Sequence, residues 1–115
     1  MKYVDGFVAA APSANRDAFI NHCRQMDPIF KEYGALAVFE NWGVDVPKGE
    51  VTDFHRAVAA KDDEIVIFSW VLWPDKATRD AAWDKLMKDE RMANVQMPFD
   101  GKRMIFGGFE TVFET

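Results

Sequence analysis

The period of the apolar positions changes several times along the chain, and each change marks an element. Residues Tyr3 to Ala11 mix aromatic, β-branched and small side chains and end at Pro12–Ser13, which predicts a first strand and then a helix capped by Ser13. From Ala14 to Tyr33 the bulky residues Phe19, Cys23, Met26, Phe30 and Tyr33 recur at spacings of four and three, the stripe of an amphipathic helix that Gly34 ends. Pro28 removes a backbone donor inside it, so a kink or break is expected near Met26–Asp27. Ala35 to Val44 reads as a second strand, with Leu36, Val38, Trp42 and Val44 on one face, Ala37 and Phe39 on the other, and Glu40 interrupting.

A loop at Pro47–Gly49 leads to Phe54–Ala60, short enough for one surface turn of helix. Glu64 to Trp73 is the clearest strand: Ile65, Ile67, Ser69, Val71 and Trp73 alternate with Val66, Phe68, Trp70 and Leu72. Pro74 stops it. Asp75 then caps a helix expected to run to about Asp89, burying Ala82, Trp83, Leu86 and Met87 and pairing Asp84 with Lys88 outside. After a loop with Pro98, Asp100 and Gly101, a fourth strand spans Met104 to Phe113, with a bulge or close backbone approach at Gly107–Gly108.

The order β-α-β-β-α-β is the ferredoxin-like pattern, an α+β four-stranded antiparallel sheet with the first and third strands central and two helices on one face. The third strand is apolar on both faces, whereas a sheet with one wet face should alternate apolar with polar. Something must cover the second face. The economical cover is another copy of the same sheet, which makes the expected assembly a homodimer, a dimeric α+β barrel. At 115 residues the chain fits a single domain, 1–115, and 49% hydrophobic content with 14% aromatics gives it enough apolar surface to fold.

Composition narrows the partners. A net charge of −5 with no basic stripe argues against nucleic acid. FGGFETVF from Phe106 has the look of an RNA-binding aromatic strand, but it sits on the fourth strand and carries Glu110. No apolar run approaches the ~18 residues of a membrane span, so no membrane is expected. Cys23 is the only cysteine, which rules out an intramolecular disulfide and implies a reducing compartment; the expected location is the cytoplasm. There is no GxGxxG before a helix, no P-loop and no nucleophile elbow, and Ser69 lacks flanking glycines.

Four segments carry a family likeness: YVDGFV from Tyr3, GALAVFENWGVDV from Gly34, VIFSWVLWP from Val66 and MPFDGKRMIFGGFE from Met97. They resemble the YbaA-like family of small bacterial proteins, a domain of unknown function, nearly end to end, with MPFDGKRM the most specific piece. The resemblance implies the dimeric α+β barrel superfamily. That superfamily includes cofactor-independent oxygenases, small-ring isomerases, haem-handling enzymes and stress-response barrels, and fold does not choose among them.

Candidate chemistry rests on acids placed among apolar strand residues, because a buried carboxylate must be paired, hydrogen-bonded or protonated. Asp5, Glu40 and Glu110 interrupt the first, second and fourth strands, and Asp5 or Glu40 is a candidate general base. His55 is a weaker acid–base candidate. His22 and His55 are too few and too scattered to suggest a metal site, and Cys23, inside an apolar stripe, reads as an inert thiol. Trp70 is a stacking candidate for a planar ligand, although aromatics on strands are more often core. In MPFDGKRM the Asp100–Gly101 pair suits a tight turn with the glycine at positive φ, and Arg103 is the candidate to hold a ligand or one of Asp5, Glu40 and Glu110. Asp100 and Lys102 flank it. The reading that follows is a barrel that binds or transforms a small apolar or aromatic metabolite without metal or organic cofactor. Its alternative is a non-catalytic accessory or stress-response dimer with every apolar surface spent on packing. An accessible pocket of a few hundred Å³ with convergent polar groups separates the two.

Overall fold

In a computed structural model that describes residues 1–115, four strands form one antiparallel sheet. They are β1 (Tyr3–Pro12), β2 (Ala37–Trp42), β3 (Glu64–Trp73) and β4 (Ile105–Glu110), in the order β2-β3-β1-β4. The two long, apolar strands are therefore central, as the pattern required. Their register pairs Tyr3 with Trp73 and Pro12 with Glu64 without interruption. β1 to β4 pairing likewise runs unbroken from Tyr3–Glu110 to Val8–Ile105, so Gly107–Gly108 forms no bulge. The glycine there serves close approach: a Cβ at Gly108 would run into the ring of Tyr3.

α1 (Arg16–Glu32) and α3 (Lys76–Leu86) cover one face of the sheet. Met26, Ile29 and Phe30 of α1 meet Val71 and Trp73 of β3 and Ala82 and Leu86 of α3 in the main core, with Trp73 fully buried. A second cluster packs Phe19 against Ala11 and Ile67, with Cys23, Trp42 and Phe99 at its margin. Gly34, at φ 111°, turns the chain from α1 into the second strand.

Several expectations are corrected. Ser13 does not cap α1: it opens a short 3-10 turn over Ser13–Asn15, and its amide donates to the Asp63 carbonyl across the β1–β3 end. Pro28 does not break the helix, which runs on to Glu32. The third helix stops at Leu86, and Asp89 caps a separate short helix, α4 (Glu90–Ala93), by accepting from the Arg91 amide; Met87 is consequently 82% exposed rather than buried. Asp84 and Lys88 form no ion pair, because Lys88 lies past the helix end. Leu36 and Val44 fall outside β2 and are exposed.

The second face of the sheet is partly covered by the chain itself. α2 (Phe54–Ala57), capped by Asp53 accepting from the Arg56 amide, carries Val58 onto Ala10 and Val66. Beyond that end the face is apolar and open. Phe39 stacks on Trp70 at 5.2 Å, Trp70 meets Phe68 at 5.5 Å, and Phe39, Phe68, Ile105 and Phe109 remain exposed. No helix is long and apolar enough to cross a membrane.

Candidate active site

The space between the helices and the sheet holds a cavity of about 440 Å³. Its walls are apolar: Phe7 and Ile67 from the central strands, Met26 and Phe30 from α1, Trp83 from α3, and Val95, Met97, Phe99 and Met104 from the connection before β4. Phe106 lies at its edge and is 73% exposed, as β4 is an outer strand whose helix-side face nothing covers. The cavity thus has a floor of sheet and a mouth toward β4.

Its polar groups gather at two places. Asp27 and Cys23, one turn apart on α1, face Glu40 on β2, and the sulfur and carboxyl oxygens of the three lie within 4.8 Å of one another. Glu40 pairs in register with Ser69 across β2 and β3, and the Ser69 hydroxyl donates to its carboxylate. Burial, then the hydrogen bond and charge of Glu40, push the Asp27 carboxyl up to about 8. Burial, followed by the charges of Glu40 and Asp27, pushes the Cys23 thiol up to about 12. The thiol is the one group here with the spacing to join two carboxyls around a cation. Held protonated at neutral pH, it leaves the chemistry of the grouping to the carboxyl pair. His22 stands at the same end, edge-on to Phe99 at 6.1 Å, with its pKa lowered by burial so that the neutral ring is favoured.

The other polar place is closed. Asp5 is 3% exposed, and its two oxygens receive the indole N–H of Trp73 at 2.8 Å, that of Trp83 at 2.9 Å, and the Arg79 guanidinium, whose Nη2 lies 2.6 Å from Oδ1. Arg79 also gives Nη1 to Asp80 and lies over the Tyr3 ring at 5.1 Å. Every strong acceptor direction of Asp5 is used, which suits an anchor tying β1 to α3 better than a general base.

The remaining candidates separate. Arg103 does not reach Asp5, Glu40 or Glu110. Its fork holds Glu64 through two 2.7 Å bonds, its Nε donates to Asp100 at 2.7 Å, and Nη1 also reaches the Ala59 carbonyl. The partner acid sits at the start of β3, which the loop crosses. That pairing holds the Glu64 carboxyl down at about 2. Asp100 organises the turn by accepting from the Lys102 amide, and Gly101 does so without a positive φ. His55 lies on α2 away from the cavity, its buried Nδ1 without a partner. Trp70 is among the residues lining the cavity, while its ring stacks on Phe39 on the open sheet face; Glu110 is exposed at the end of β4. Asp27 and Arg79 were not among the candidates. A signal for Asp27 was its place one turn after Cys23, on the flank of the buried stripe; Arg79 gave none beyond the cap register set by Asp75.

The chain matches, over residues 2–101, a family described as "Protein of unknown function (DUF1428)". The uncharacterized protein YbaA of Escherichia coli (strain K12) is 53% identical over 116 residues, with 99% of each chain covered, and that of Shigella flexneri matches equally. The crystal structure of a dimeric ferredoxin-like protein from an uncultured marine organism superimposes with a TM-score of 0.61 over 100% of both chains at 14% identity, a likeness of fold.

Proposed function

The chain belongs to this family of unknown function, the one its segments YVDGFV and MPFDGKRM resemble, and we propose that it is a homodimer each protomer of which binds, and by proton transfer transforms, a small apolar or aromatic metabolite. The observation that carries the reading is the cavity of about 440 Å³, within the usual range for small-molecule sites, with aromatic and methionine walls and one polar end at Asp27, Glu40 and Ser69. A chain whose apolar surface served only packing would have filled that space, since interiors are close-packed. The raised Asp27 carboxyl and its neighbour Glu40 supply both halves of a tautomerisation: Glu40 takes a proton from the ligand, protonated Asp27 returns one to it, and the proton then passes from Glu40 to Asp27 to restore the pair. Support for the second copy comes from the open face around Phe39, Phe68 and Phe109, and from the dimeric description of the ferredoxin-like neighbour.

The test is a thermal-melt panel of phenols, quinones and enones on the purified protein, with the same panel on Val95→Trp, whose indole fills the cavity. At least one compound should raise the wild-type melting temperature and lose that effect in the variant. A panel without effect, on protein that carries no co-purified small molecule by native mass spectrometry, overturns the reading.

A further inference from the structure

Charge decides which ligands such a cavity accepts, and its charges can be followed group by group. The only cation on its walls, Arg79, is spent on Asp5 and Asp80. Arg16 and Arg24 line a separate groove along α1 and β2, on the other side of Glu40. Arg103 is closed around Glu64 and Asp100. What faces the interior without a counter-ion is the Asp27–Glu40 pair, beside a half-buried imidazole and the Ser69 hydroxyl that already donates to Glu40. From this arrangement we propose that the cavity selects uncharged planar ligands bearing a hydroxyl or carbonyl group and rejects carboxylates and phosphates of the same shape.

The physical reason is the absence of any compensation for a second anion. An anionic ligand would have to leave water and then sit against an unneutralised carboxylate in a wall of Phe, Trp and Met side chains, where like charges repel far more strongly than at a surface. A neutral hydroxyl or carbonyl meets a donor and an acceptor at the same spot. The protonated state of Asp27, favoured by burial and by Glu40, gives the pair one hydrogen to offer and leaves one oxygen pair to accept. Selection of this kind works by a repulsive element rather than by a new attraction.

The inference rests on the cavity being a ligand site, and a matched pair of probes keeps the two claims apart. Binding of 2-naphthol and 2-naphthoate is measured by calorimetry at pH 7 on the wild type and on the double variant Asp27→Asn/Glu40→Gln. The double change is needed because either single one leaves a carboxylate behind. In the wild type the naphthol should bind at least about tenfold more tightly than the naphthoate, and in the double variant that ratio should fall to within about threefold. Equal binding of both probes to the wild type overturns the charge selection and leaves the cavity reading standing. Binding of neither probe overturns both. A ratio unchanged in the double variant overturns the assignment of selection to this pair.

Discussion

Asp27 and Glu40 approach to within 4.8 Å although they belong to different elements, one on the sheet-facing flank of α1 and the other on the edge strand β2. Two partly buried carboxyls at that separation cannot both ionise cheaply, and burial together with Glu40 pushes the Asp27 carboxyl up to about 8. The folded chain therefore holds a proton that the unfolded chain releases near pH 4. Between those values the native state binds more protons than the unfolded one, so stability falls as pH rises from about 4 to about 8 and levels off above.

Asp27→Asn should remove that slope. The urea midpoint of the variant should match the wild type near pH 4, exceed it increasingly up to about pH 8 and keep that margin at pH 9, since the amide carries no charge at any pH. Parallel midpoint curves for the two proteins across that range would show that Asp27 is ionised in the fold.

Arg79→Met should be among the most destabilising single changes. Asp5 is 3% exposed and would be left with only the two indole N–H donors of Trp73 and Trp83. Breaking a buried pair from one side costs about 3–5 kcal/mol, and the partial exposure of Arg79 sets the expectation near the lower end. Chemical denaturation measures it, and a loss below about 1 kcal/mol would mean the pair is worth no more than a surface contact. Asp5→Asn/Arg79→Met should recover part of the loss, because it removes the stranded charge.

The open sheet face makes a separate prediction. Phe68→Glu and Trp70→Glu place charge among Phe39, Phe68 and Trp70, on the face away from the cavity. Light scattering at micromolar concentration should give twice the chain mass of 13.1 kDa for the wild type and the single chain mass for the variants. A monomeric wild type would leave these exposed rings without an occupant and would sink the dimer.

What the chain sequence made legible is what local period and local capping determine. β3 is found at its observed bounds because it is a nearly unbroken β-branched and aromatic run that Pro74 ends, and Asp75 caps α3 by accepting from the Thr78 amide as its position implies. Contacts between distant segments have no such signature. Asp5 and Arg79 are 74 residues apart, and nothing near either one names the other. Asp27 reads locally as the residue before a helix-disrupting proline, and no local pattern ties its carboxyl to Glu40, thirteen residues on in another element. The end of α3 has no mark in the apolar period, which Met87 continues; the helix ends at Leu86, and Asp89 caps α4 and accepts from the Tyr33 hydroxyl at 2.7 Å.

Arg103 shows how a loop can matter to a site it does not touch. Its guanidinium fastens the Asp100–Arg103 turn to Glu64 and to the Ala59 carbonyl, and the same loop supplies Met97, Phe99 and Met104 to the cavity wall. Few backbone bonds help: the Asp100 amide reaches the Ala10 carbonyl at 3.5 Å, and the Asn15 side chain reaches that of Pro98 at 3.4 Å, both long. Arg103→Met should accordingly speed hydrogen exchange across 94–104 while leaving β1 and β3 protected, and should lower the melting temperature. Arg103→Lys should fall between, since an ammonium keeps the charge but cannot make the two parallel bonds to Glu64. The pH dependence separates charge from packing. Glu64 is held down at about 2 by Arg103, so the pair contributes stability above the ordinary glutamate range that is lost as pH falls toward 2. Arg103→Met should flatten that acid limb, and an acid limb unchanged in the variant, with unchanged exchange in the loop, would show that the latch holds nothing.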